Sequence, residues 1–135
     1  MTIRWRPVAA ITASRPLRAQ LRVVEQHCGW DFTYTHSIRR ARTHAHHRPM
    51  IIIGADLVDR VRDPLSCRGV VLVAALDLAD PRQFAHAERI TAAYVVGLPQ
   101  GCPWLIDMLL QSHRWCGMPA PHQPGQPPRS TGTGR

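Results

Sequence analysis

The sequence predicts an α/β domain in which helices cover both faces of a five-stranded parallel sheet. Three observations lead to this prediction. Short apolar segments alternate five times with stretches of helical period. Two of the segments, residues 50–53 and 70–74, are apolar throughout, as in parallel strands that are buried on both faces. The pattern occupies residues 7–116, a length that suits a single domain.

The five predicted strands are short and are separated by the helical stretches. The second alternates polar and aromatic residues, which is typical of a strand at the edge of a sheet. A strand–helix–strand connection within one parallel sheet is expected to be right-handed. Helices are expected on both faces of the sheet, because two of the predicted strands are apolar throughout. The predicted strands cover residues 8–12, 31–35, 50–53, 70–74 and 94–96.

The first two predicted helices each begin at a serine that can act as an N-cap. Ser14 precedes a helix that ends at Gly29, with the inward positions occupied by Leu17, Leu21, Val24 and Cys28. Ser37 precedes the second helix, whose inward positions are Ile38, Ala41 and Ala45.

The last three predicted helices have less regular beginnings. The third, residues 56–62, is short, and we expect Asp56 to cap it. The fourth opens with a capping box at residues 80–83 that has Pro81 at its first helical position. It continues into inward-facing Phe84, Ala87 and Ile90. The fifth begins at Pro103, with Leu105, Ile106, Leu109 and Leu110 inward.

This order of elements predicts a flavodoxin-like fold with strand order 2-1-3-4-5. We expect residues 1–6 to form an N-terminal extension and residues 7–116 to form the domain. Residues 117–135 contain five prolines and four glycines but few apolar side chains, so they are expected to be a disordered tail.

Charge and cysteine content exclude several classes of protein. All 17 basic residues are arginine, against 9 acidic residues, so mechanisms that need a lysine are excluded. The four cysteines form no C-x-x-C pair, so neither a zinc knuckle nor a dense disulfide framework is expected. Residues 1–7 do not resemble a signal peptide, and residues 70–76, the longest apolar run, are too short to span a membrane. We expect a cytoplasmic protein with reduced thiols.

Four segments resemble a known family. They are similar to a response-regulator receiver domain (CheY-like) and, more closely, to the receiver-like N-terminal domain of actinobacterial septum-site-determining proteins, the CpaE-like relatives of MinD and ParA ATPases. The segments that carry the resemblance are residues 48–56 (RPMIIIGAD), 69–73 (GVVLV), 94–99 (YVVGLP) and 103–105 (PWL).

The resemblance implies that the chemistry of an active receiver is missing. An active receiver needs a carboxylate that accepts the phosphoryl group, an acidic pair that holds Mg²⁺, and a lysine. The acceptor position falls on Gly54, the acidic pair on Thr12 and Ala13, and the lysine on Gly97. We therefore expect a pseudo-receiver that is not an enzyme and holds no cofactor or metal.

The resemblance implies a function in protein–protein interaction, in septum-site determination during cell division or a related MinD/ParA-type localisation system. In that family an ATPase domain with a deviant Walker motif follows, and this chain carries no such motif. The chain is then either a stand-alone relative or a truncated remnant of a longer septum-site ATPase.

An arginine-rich, nucleic-acid-associated module is the alternative function, although the sequence offers neither a groove-entering helix nor stacking aromatics, so nucleic acid is not the expected partner. The candidate anion contacts are Arg39, Arg40 and Arg42 on the second predicted helix. The neighbouring histidines His44, His46 and His47 are interpreted as a solvated polar face rather than as metal ligands.

The fifth predicted helix carries a second stripe beside its inward one. Trp104, Met108 and Trp115 lie on it, and two tryptophans and a methionine outside the core are typical of an interface. Receiver domains commonly pair through their fourth and fifth helices, so the resemblance implies a homodimer through the same surface. The expected partners are a MinD/ParA-type ATPase and a second copy of the chain.

Overall fold

The computed structural model describes residues 8–111 apart from residues 44, 66 and 68. Within this part of the chain, five parallel strands form one sheet in the order β2-β1-β3-β4-β5, as predicted. The strands are β1 (Val8–Ile11), β2 (Phe32–Thr35), β3 (Met50–Gly54), β4 (Val70–Ala75) and β5 (Tyr94–Gly97). The predicted N-terminal extension and tail, together with Trp115, lie outside the described residues.

Helices cover both faces of the sheet, as the apolar character of β3 and β4 predicted. The α-helices are α1 (Arg15–Cys28), α2 (Ile38–Thr43), α3 (Arg82–Arg89) and α4 (Cys102–Gln111), and two 3-10 turns cover Ala45–His47 and Val58–Arg60. One apolar core lies between the sheet and α1 with α4. The second lies between the opposite face and α2, α3 and the 3-10 turns.

The first predicted helix is confirmed in detail. The Ser14 hydroxyl accepts a hydrogen bond from the Leu17 amide, and Gly29 ends α1 in the left-handed conformation at φ 79°. The four predicted inward residues are buried. Beyond this end, the buried Trp30 indole donates to the Leu109 carbonyl at 2.9 Å, which joins the end of α1 to α4.

The third predicted helix is wrong in extent and in its cap. Only the 3-10 turn at Val58–Arg60 forms, with Leu57 at its N-cap position and no side-chain cap. The Asp56 side chain instead accepts hydrogen bonds from the loop after β1. A short segment before Pro64 has few backbone bonds to gain as a helix, so tertiary partners determine where this carboxylate points.

The fourth predicted helix begins at Arg82, one residue later than expected. Asp80 accepts a hydrogen bond from the Arg82 amide, but Gln83 donates to the Asp77 carbonyl and so does not complete a capping box. Gln83 is buried, whereas Phe84 is 46% exposed. Ala87 and Ile90 are buried as predicted, and Gln83 takes the buried position expected for Phe84.

The fifth predicted helix is α4 and begins one residue earlier, at Cys102. Leu105 and Leu109 are buried as predicted, while Ile106 and Leu110 are only partly buried. Cys102 is buried at the first position of the helix, and burial raises the pKa of its thiol.

Candidate functional site

A cavity of 450 Å³ lies at the carboxyl edge of the sheet. The register pairs Ile11 with Ile53 and Gly54 with Ala74, so the loops after β1, β3 and β4 meet there. Crevices at this edge are where open α/β sheets bind ligands. Its polar lining comprises Ser14, Asp56, Asp59, Asp77, Asp80, Arg82, Gln83 and His86.

Asp56 joins the loop after β3 to the loop after β1. One carboxylate oxygen accepts from the Thr12 hydroxyl at 2.7 Å, and the other accepts from the Ala13 amide at 2.8 Å. Thr12 is fully buried, and its hydroxyl oxygen also accepts from the Ser14 amide at 3.0 Å. Thr12 and Ala13 are two of the four positions at which the sequence lacks the residues of an active receiver, and together they bond to both oxygens of Asp56.

Gly54, the third of those positions, leaves the space into which Asp56 folds. A Cβ at residue 54 would lie 2.8 Å from both the Leu17 side chain and the Thr12 hydroxyl, and it would overlap the Asp56 carboxylate. The absence of a side chain at residue 54 and the position of the Asp56 carboxylate are thus two parts of one arrangement.

Gly97, the fourth position, ends β5 beside Leu78. A Cβ there would lie 2.8 Å from Leu78 Cδ1, so the leucine occupies the space that a longer residue would need. The structure therefore brings Thr12, Ala13 and Gly54 together around Asp56, and it places Gly97 against the loop that follows β4.

The opposite wall of the cavity consists of the loop after β4 and the start of α3. Arg82 forms two hydrogen bonds with the Asp80 carboxylate, at 3.0 and 3.1 Å, and these bonds hold the pKa of Asp80 below its usual value. This ion pair is exposed, so it contributes little to stability. Among the described residues, no group of three or more histidine, cysteine or acidic side chains is arranged to hold a metal ion.

The predicted interface on the last helix is only partly exposed. Trp104 is 43% exposed and packs edge-on against Tyr94, itself 45% exposed, with ring centroids 5.1 Å apart. Met108 instead packs partly buried against the first core, and Trp115 is outside the described residues. We call Tyr94 and Trp104 the aromatic pair. Sequence reasoning missed Tyr94, although an aromatic residue opening an edge strand was a usable signal.

The predicted anion contacts on α2 differ from one another. Arg42 donates to the carbonyls of Asp63 and Pro64 at 3.0 and 3.1 Å, so its guanidinium holds a loop. Arg39 and Arg40 are exposed. The rings of His46 and His47 lie 3.9 Å apart, and residue 44 is outside the described part of the chain.

The described cysteines, Cys28, Cys67 and Cys102, are free thiols. Burial raises the pKa of Cys28 to about 11 and also raises that of Cys67, so neither is an activated nucleophile. In the described part of the chain, no helix is both long and apolar enough to cross a membrane.

Comparisons with known proteins agree with this architecture. Residues 11–115 match a family model described as the Rv3660c-like, CheY-like N-terminal domain. The chain also superposes on the crystal structure of a pilus assembly-related protein from Burkholderia pseudomallei with a TM-score of 0.55. The two are 16% identical over 86% of this chain and 97% of that one, a likeness that shows the fold. No curated protein matches the chain.

Proposed function

Because the chain belongs to the family of Rv3660c-like, CheY-like N-terminal domains, we propose that it is a receiver-like domain without phosphoryl-transfer chemistry that acts by contact with other proteins. The observation that carries the proposal is the position of Asp56. Its carboxylate lies where a residue-54 side chain would lie, and both of its oxygens accept hydrogen bonds from the chain itself. A carboxylate held in this way is a poor nucleophile toward phosphorus.

The proposed context is septum-site determination or a related MinD/ParA-type localisation system, with an ATPase of that type as partner. Its support is the resemblance of residues 48–56, 69–73 and 94–99 to the receiver-like domain of septum-site-determining proteins. Capture of a purified MinD/ParA-type ATPase by the chain tests this context. Failure to bind such an ATPase with and without ATP would contradict it.

We expect the chain to take no phosphoryl group from acetyl phosphate in the presence of Mg²⁺. Gly54 has no carboxylate, and Asp56 is engaged by Thr12 and Ala13. Intact-mass spectrometry before and after incubation measures the transfer, with an active receiver domain as the positive control. An adduct of about 80 Da, the mass of one phosphoryl group, that disappears in the Asp56→Asn variant would overturn the proposal.

We propose that the aromatic pair, Tyr94 and Trp104, forms the protein contact, both with the partner and in a homodimer. Two adjacent half-exposed aromatic rings are typical of an interface centre. Tyr94 is the first residue of β5, an edge strand of the sheet that carries no charged residue to discourage pairing.

Replacing Trp104 by Ala is expected to weaken self-association and partner capture by about tenfold, with little change in thermal stability. Analytical ultracentrifugation and pull-down experiments measure these two quantities. Val23→Ala, at a residue 42% exposed on α1, is the control and should change neither. If Trp104→Ala leaves association unchanged but lowers the melting temperature by several degrees, Trp104 belongs to the core and the proposed contact is wrong.

A further inference from the structure

Three arginines form a row along the flank of α1 that faces β2. Arg15, Arg18 and Arg22 occupy positions i, i+3 and i+7 of the helix, so they lie within about 60° of one another around its axis. At 1.5 Å per residue the row extends over about 10 Å. We call these three residues the α1 arginine row.

Tyr34 on β2 locates the row on the molecule. The guanidinium carbon of Arg18 lies 5.7 Å from the centre of the Tyr34 ring, and that of Arg22 lies 5.5 Å from it. Arg15 and Arg22 are exposed. The Arg18 Nε is shielded from solvent yet has no hydrogen-bond partner in the described part of the chain. The ring thus holds two of the guanidinium groups in place at the β2 edge of the sheet.

The three positive charges of the α1 arginine row face the single negative charge of Glu25 on the same helix. Glu25, one turn beyond Arg22, directs its carboxylate to the Phe32 amide at 2.8 Å and the Tyr34 hydroxyl at 2.9 Å. Burial and the bond to Glu25 raise the pKa of Tyr34, so the phenol is neutral at pH 7. The ion pair found in this part of the chain joins Arg82 to Asp80, and no described carboxylate is paired with the α1 arginine row.

We propose that the α1 arginine row binds consecutive phosphates of a nucleic-acid backbone. Guanidinium groups match phosphate oxygens in pairs, and the net charge of +8 attracts a polyanion over a longer range. A protein interface would need a cluster of exposed apolar side chains beside the charges. Among the described residues, α1 exposes one large apolar side chain, Val23.

This surface differs from the anion contacts that the sequence predicted on α2, because Arg42 is held by loop carbonyls. It also lies at the β2 edge of the sheet, opposite the β5 edge with its aromatic pair. The nucleic-acid surface and the proposed protein contact are therefore separate, and either can fail without the other.

Fluorescence anisotropy of the full chain with a labelled duplex of about 20 base pairs tests the proposal across a salt series. The Arg15→Gln/Arg22→Gln variant is expected to bind about tenfold or more weakly. The slope of log affinity against log salt should become shallower by about 2, since each lost phosphate contact contributes about 0.9. An RNA hairpin and single-stranded RNA, tested in parallel, identify which nucleic acid supplies the phosphates.

Arg60→Gln/Arg62→Gln is the matched control, because both arginines are exposed and the pair removes the same charge. It should retain most of the affinity. Equal weakening in the two variants would show that net charge alone attracts the polyanion and would overturn the proposal. Absence of binding to every nucleic acid at low salt would overturn it as well. So would binding of polyglutamate with the same affinity and the same dependence on Arg15 and Arg22.

Discussion

Replacing Gly54 by Ala is expected to lower the free energy of unfolding by about 2–4 kcal/mol. The new Cβ would lie 2.8 Å from the Leu17 and Thr12 side chains and would overlap the Asp56 carboxylate. Overpacking a buried site costs about 1–3 kcal/mol, and displacing Asp56 adds the loss of its hydrogen bonds. The restricted unfolded chain favours Ala over Gly by only about 0.4–1 kcal/mol, which does not offset these losses.

Chemical denaturation of the Gly54→Ala variant measures this loss, and a double-mutant cycle with Asp56→Ala identifies its origin. With the Asp56 carboxylate removed, the cost of Gly54→Ala should fall by about 1 kcal/mol or more, because one of the overlapping groups is gone. Strictly additive effects of the two substitutions would show that residues 54 and 56 do not compete for the same space. They would contradict the arrangement described here.

Replacing Asp56 by Ala is expected to lower the free energy of unfolding by about 2–3 kcal/mol. The change removes two hydrogen bonds to a carboxylate and leaves the buried Thr12 hydroxyl without an acceptor. Leaving a buried donor without a partner costs about 1–3 kcal/mol. In a domain of this size such a loss lowers the melting temperature by about 10 °C or more.

Asp59→Ala is the matched control for Asp56→Ala. Asp59 lines the same cavity, carries the same charge and is exposed like Asp56, but its carboxylate accepts no hydrogen bond from the described residues. Its removal should change the free energy of unfolding by less than about 0.5 kcal/mol. If both variants lose the same stability, the effect comes from the charge of the cavity rather than from the bonds of Asp56. An Asp56→Asn variant should fall between them, because its side-chain oxygen still accepts one hydrogen bond.

Residues 54 and 56 explain how the loops at this edge of the sheet are held together. Strands β1 and β3 end at the same edge of the sheet, so polar groups from the loops that follow need partners there. Asp56 provides them for Thr12 and Ala13, and these hydrogen bonds join the two loops.

The strand order followed from the fold class that the alternation of elements indicates. The sequence by itself was sufficient to predict the strands and the first helix. Their signals are local: residues 50–53 and 70–74 are apolar throughout, and α1 has a cap, an apolar stripe and a terminal glycine within 16 consecutive residues, 14–29. Such patterns are contained in a single stretch of the chain, so they can be recognised without any knowledge of distant contacts.

Only the tertiary structure decided which polar and aromatic groups meet. Asp56 bonds to Thr12 across 44 residues, and Trp30 bonds to Leu109 across 79. The sequence predicted that Asp56 caps a helix. A carboxylate before a short helical pattern looks the same in the sequence whether it caps that helix or bonds to a distant loop. Its partner depends on which strands are neighbours and on whether residue 54 leaves room, and both are set by packing between segments that are far apart in the chain.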